Sequence, residues 1–195
     1  MKRLSLYLFL LLFALPTPSQ ADDIRDFQIE GMSIGDRLLD YFSKSEINKF
    51  ATALYPSSDK YEMMMIKSSK FKVYDLIQIE YLKNDSNYII EAISGKIEFP
   101  KNIDRCINKR DEIVREIKNA YNLTTREYKP RRHSIKHPSS KVYETRLYFK
   151  NRDYLRIYCM DWSTKDEKEE RYIDDLSVDF STRKFLIWLQ TEAYK

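Results

Sequence analysis

NIDRCINKRDEIVREIKNAY, residues 102–121, reads as one amphipathic helix. Ile103, Cys106, Ile107, Ile113, Val114, Ile117, Ala120 and Tyr121 recur at three- and four-residue spacings, and charged or amide residues fill the positions between. One apolar stripe against one charged face is the pattern of a helix lying on a sheet or on another helix. Asn102 or Asp104 can cap its start. Asp111 and Arg115 can add a weak i,i+4 pair. Pro100 sits just before the helix, where it ends the preceding segment without harm. Cys106 lies on the apolar stripe. The candidate partner is Cys159 in YLRIYCMDW, where Leu155, Ile157 and Cys159 alternate onto one face of a strand. A helix packed on that face would bring the two sulfurs together.

The flanking chain supplies strands for the helix to cover. Upstream, residues 71–82 place Phe71, Val73, Ile77, Ile79 and Tyr81 on a strand. Asn84-Asp85-Ser86-Asn87 is turn chemistry. Residues 88–99 return with Ile89, Ile93, Ile97 and Phe99 inward, and Gly95 marks a bulge or a close approach. Downstream, strands are expected over 142–150, around Tyr154, and over 172–180, with the charge run 166–171 as a solvated hairpin loop. Two short helices are expected near the start, capped by Ser33 and by Ser43 with Glu46, the second burying Ile47, Phe50 and Leu54 before a break at Pro56 and Ser57. Phe185, Trp188, Leu189 and Ala193 suit a final helix capped by Ser181. The expected fold is α+β: an antiparallel sheet of about five strands with helices packed on one face.

The first 21 residues read as a secretory leader. Lys2 and Arg3 precede an apolar run of 12 residues, Leu4 to Leu15, too short to span a bilayer, and Ser19-Gln20-Ala21 offers a cut before Asp22. Residues 22–195 then form one exported domain, periplasmic or secreted, without a transmembrane span. Loss of Lys2 and Arg3 takes the formal charge from +4 to about +2, too balanced to argue for nucleic acid. Two cysteines in an oxidising compartment argue for one disulfide. Only Gly31, Gly35 and Gly95 are glycines, so a Gly-rich phosphate loop is absent and no cofactor is implied.

DFQIEGMSIGDRLLDYFSKSEI (26–47), YDLIQIEYLKNDSNYIIEAISGKIEF (74–99), KHPSSK (136–141) and YLRIYCMDW (154–162) together resemble a set of uncharacterised small exported bacterial proteins. The resemblance covers most of the chain after the leader, and it implies no catalytic residues. It also implies an Asp after the histidine of the KHP segment, where Ser139 and Ser140 stand here. The Gly-x-Ser-x-Gly-Asp opening, followed by helix and hairpin, is reminiscent of β-lactamase-inhibitor-like periplasmic modules, which are binding proteins.

Candidate sites divide by chemistry. Gly31-Met32-Ser33-Ile34-Gly35 matches a nucleophile elbow by letters, but Ser33 is better explained as a cap. His133 and His137 stand four apart, yet Pro130 and Pro138 flank them and Arg131, Arg132 and Lys136 repel a cation, so no metal is expected. Those five residues define a basic loop that could meet an anionic lipid or polysaccharide, or seat a small hydrolase using His137 with Ser139 or another loop serine. Met63-Met64-Met65 reads as core filling rather than a soft-metal site. The face opposite Leu155, Ile157 and Cys159 is expected to show Tyr74, Arg146, Tyr148, Tyr154, Arg156 and Tyr158. Tyr and Arg dominate protein interfaces, so this face is the expected contact for an envelope protein, and the expected function is a non-enzymatic binding module.

Overall fold

Period-two alternation organises most of the chain. The structure, a computed structural model, describes residues 23–52, 55, 58–121, 123–134 and 136–195. The expected leader, Leu54 and the break at Pro56 and Ser57 lie outside them. β1 (Ala51–Thr52), β2 (Tyr61–Ile66), β3 (Leu76–Leu82) and β4 (Ile90–Glu98) form one antiparallel meander. β5 (Thr124–Glu127), β6 (Arg131–Arg132), β7 (Lys141–Tyr148), β8 (Tyr154–Asp161) and β9 (Asp175–Ser181) form a second, in which β5 and β6 both pair with β7. The meanders meet through their last strands, with β4 antiparallel to β9 and Gly95 opposite Val178. The sheet order is β1-β2-β3-β4-β9-β8-β7-β5, with β6 also on β7. A helix precedes each meander: α1 (Lys44–Phe50) and α2 (Ile103–Ala120). The chain therefore uses a helix-plus-meander unit twice, and the two units are joined antiparallel at the β4/β9 seam.

α2 is the helix read from residues 102–121. Asn102 is its cap, accepting from the Arg105 amide at 3.2 Å. Cys106, Val114 and Ile117 are buried against the sheet, and Cys106 is disulfide-bonded to Cys159 of β8. Beneath the helix side, Ile79, Ile93, Phe180, Leu155 and Leu147 stand in one register row across five strands, all buried. Ile47 of α1 joins the same core. The Ser43–Glu46 capping box forms in both directions, as read.

Several expectations change. Among the described residues the sheet has nine strands, not about five. β1, β5 and β6 are short edge pieces with no apolar alternation, and β2 buries Met63 and Met64 on opposite faces, which erases its period. The helices do not share one face. α4 (Arg183–Thr191) crosses to the other side, where Phe185, Trp188 and Ala193 pack on Tyr61 and Ala92 as a second core. The Thr182 amide donates to the Glu91 carbonyl at 3.0 Å and directs the chain there. The charge run forms a helix, α3 (Thr164–Glu170), capped by Ser163 and ended by Arg171 at φ 59°.

No helix starts at Ser33. Its hydroxyl donates to the Phe27 carbonyl, while the Asp36 carboxylate accepts from the Ser33 amide at 2.8 Å. The reach-back exists, but it closes a bend at Gly35 (φ 89°), followed by one 3-10 turn, Leu38–Asp40. Residues 71–75 are not strand either. The amides of Lys72, Val73 and Tyr74 donate to the Glu30 carboxylate at 2.9, 2.7 and 3.2 Å, so they are unavailable to a ladder. Gly95 is a close approach: a Cβ there would lie 2.5 Å from the Tyr74 ring.

The disulfide closes a loop with a sequence separation of 53. In the chain-entropy picture this stabilises by about 4 kcal/mol. Reduction, or Cys106→Ser with Cys159→Ser, is expected to lower the urea midpoint accordingly. An unchanged midpoint with an unchanged slope would show that α2 docks without help from the bond.

Candidate functional site

The sheet face turned away from α2 is polar. Across β3, β4, β9, β8 and β7 one row reads Gln78, Ser94, Asp179, Arg156, Arg146. The row on one side holds Lys96, Ser177, Tyr158 and Glu144, and the row on the other holds Glu80, Ala92, Ser181, Tyr154 and Tyr148. Arg146, Tyr148, Tyr154, Arg156 and Tyr158 thus come together as expected from their alternation. Tyr74 does not. It lies outside β3, on the helix side of the sheet, with its ring against Gly95, because the Glu30 carboxylate holds its loop there.

Glu144 is the hub of the face. Its side chain is fully buried, and Arg131, Arg146 and Arg156 all donate to its carboxylate. Burial alone would raise this acid; Arg156, Arg131 and Arg146 outweigh it and hold the carboxyl below the ordinary range. Arg156 also reaches Asp179 at 3.5 Å and stacks on the Tyr158 ring at 3.7 Å. Arg146 lies between the rings of Tyr128 (4.8 Å) and Tyr154 (5.7 Å), and the Tyr128 and Tyr148 hydroxyls are 3.3 Å apart. Such stacking fixes the aromatic and guanidinium planes before any contact is made. Tyr158 is 9% exposed, with Arg156 over its ring and Val142 and Met160 packed beside it. Arg156 Nε, Asp179 Oδ1 and Glu80 Oε2 are buried with no hydrogen-bond partner among the described residues. Burial pushes the Glu80 carboxyl up to about 7, against the hydrogen bond from Gln78.

The basic loop is a folded edge. β6 pairs with β7, and the His133 amide donates to the Ser140 carbonyl at 2.9 Å. His137 is buried, with Nδ1 2.9 Å from Asp166 Oδ1, and the Ser140 and Ser163 hydroxyls donate to Asp166 Oδ2. Bonds from Ser140, His137 and Ser163 push the Asp166 carboxyl down to about 2. A hydrolase of the Ser-His-acid type needs histidine between serine and acid. Here the acid stands between them and Ser140 is wholly buried, so this trio locks the segment to the first turn of α3. His133 packs on Trp162 at 4.9 Å. Arg131 is spent on Glu144, and Arg132 and Lys136 remain exposed. Among the described residues no group of three acidic, histidine or cysteine side chains is placed to hold a metal, and no helix is long and apolar enough to cross a membrane.

Sequence reading missed Glu144, Asp179, Lys96, Glu80 and Tyr128. The first four sit on the same period-two rows as the residues it named, so the polar half of each strand carried the signal. Tyr128 lies outside any strand and offered none. No protein-family model, no curated protein and no solved structure matches this chain.

Two titrations follow. Asp166 has a folded pKa of about 2, depressed from 3.8. Its contribution is present above pH 3.8 and is lost as pH falls toward 2. Asp166→Asn is expected to flatten the stability profile between those values, and an unchanged profile would remove Asp166 from acid unfolding. Glu80 is raised from 4.5 to about 7. Its neutral form is favoured in the fold, so stability falls as pH rises from 4.5 through 7. Glu80→Gln is expected to raise stability at pH 8 by on the order of 1–3 kcal/mol. Loss of stability at pH 8 would show that the charged form is the one the fold holds.

Proposed function

We propose that this protein is an exported, non-enzymatic binding module that engages an envelope protein through the Tyr/Arg face. The observation that carries this reading is the preset ladder Tyr128–Arg146–Tyr154 beside Arg156 on Tyr158, anchored on the buried Glu144. Tyr and Arg are the side chains richest in binding energy at protein interfaces, and rings already held in place lose little entropy on contact. The buried atoms without partners, Arg156 Nε and Asp179 Oδ1, are polar groups that a partner or ordered water would satisfy. Export is supported by the leader reading of residues 1–21, and the disulfide suits an oxidising compartment.

Charge reversal at Arg156 would break its ties to Glu144 and Asp179 and confuse folding with binding. Tyr128→Ala and Tyr148→Ala are cleaner, since both rings are half-buried on the rim of the ladder. A specific envelope protein cross-linked to the oxidised wild type is expected to bind each variant at least tenfold more weakly, about 2 kcal/mol per aromatic anchor. Equal affinity for folded variants, or no protein retained by the folded wild type, would reject the face as a partner surface.

A further inference from the structure

The Tyr/Arg face carries a charge pattern that its tyrosines do not explain. Arg126 of β5 stands directly opposite Arg146 of β7, and Arg146 stands directly opposite Arg156 of β8. Arg131 of β6 brings a fourth guanidinium to the same side, where it donates to Glu144. Like charges directly opposite on neighbouring strands destabilise a sheet. Such a row needs counter-charge.

The fold supplies part of it. Glu144 takes Arg131, Arg146 and Arg156, and Asp179 takes Arg156 from the inner side. Arg126 is exposed and in no salt bridge among the described residues, with its guanidinium over the Tyr128 ring at 5.1 Å. Glu127, the next residue, turns to the other side of β5 and reaches Lys118 of α2 at 3.9 Å. Four guanidiniums therefore meet two carboxylates, Glu144 and Asp179. Further acids of this face lie inward: Glu80 on β3, Glu98 on β4 and Asp175 on β9, with Lys96 among them and Lys67 on Glu98 at 2.7 Å. The positive excess is confined to the β5–β8 edge.

The guanidiniums there are recessed. Side-chain exposure is 28% for Arg146 and 20% for Arg156. The rings of Tyr128 and Tyr154 flank Arg146, and Arg156 lies on the Tyr158 ring. A planar headgroup layer meets the ring edges first, whereas a carboxylate on a side chain can enter between them. Guanidinium and carboxylate also match as two parallel hydrogen bonds, and Glu144 already shows this cluster accepting that anion. We infer that the partner engaged by this face presents an acidic segment, with its carboxylates at Arg126 and Arg146. The inference rests on the partner reading above and adds the chemistry of the partner.

The probe is a fluorescein-labelled oligoglutamate peptide, titrated by anisotropy against the disulfide-intact protein. Binding is expected at an ionic strength of about 0.01 M and is expected to be largely lost at about 0.15 M, as the screening length shortens from about 30 Å to about 8 Å. Arg126→Glu is expected to weaken it about tenfold, the worth of a charge-assisted contact. Arg115→Glu, at an exposed cation of α2 on the far side of the sheet, is expected to leave it unchanged. Folding does not confuse the reading: Arg126→Glu replaces a like pair opposite Arg146 with an unlike one, so its urea midpoint is expected to hold or rise. No binding at low ionic strength, or equal weakening by the two variants, would overturn the proposal. Phosphatidylglycerol vesicles bound with the same dependence on Arg126 would also overturn it, in favour of a lipid phosphate. An envelope protein whose affinity ignores both salt and Arg126→Glu would overturn the acidic segment and leave the partner reading standing. Oligoglutamate bound at Arg126, with no envelope protein retained, would reject that partner and support the acid-binding edge.

Discussion

The pairing of β4 with β9 is the constraint on which the rest depends. Seven residue pairs, from Ala92↔Ser181 to Glu98↔Asp175, join two meanders that otherwise share no strand. This one register aligns Ile93 with Phe180 on the helix side and Ser94 with Asp179 on the other. A slip of one residue would turn Asp179 into the apolar core and Phe180 out of it. The seam thus sets both the apolar surface under α2 and the polar row that holds Asp179 and Arg156.

Strong local patterns were legible in the sequence. The stripe of residues 102–121, the alternation of Leu155, Ile157 and Cys159, and the Ser43–Glu46 box each state a local preference that the fold keeps. The disulfide followed, because a buried helix position and a buried strand position had to meet. What escaped reading depends on contacts distant in sequence. Residues 71–75 have strand-like composition, but a carboxylate more than forty positions away takes the amides of Lys72, Val73 and Tyr74. Ser33 has a capping sequence, but its hydroxyl finds the Phe27 carbonyl instead. The edge strands have almost no apolar pattern, since only one side of each is paired and little of it is buried.

The candidate site was half visible for a related reason. Tyr and Arg were named because their types are informative alone. Glu144 looks like any solvated acid until three guanidiniums converge on it, and only the β7/β8 register and the β6 edge bring Arg146, Arg156 and Arg131 there. Tyr74 failed because its face was assigned by counting along a strand that ends at Leu76. His137, Ser140 and Asp166 carry the right residue types for hydrolysis, and only geometry shows that the acid occupies the middle position.

α4 introduces a different consequence. It folds over Tyr61 and Ala92. The polar face is thereby uneven: the C-terminal segment lies over β2 and β4, while the Arg and Tyr side chains stand on β7 and β8.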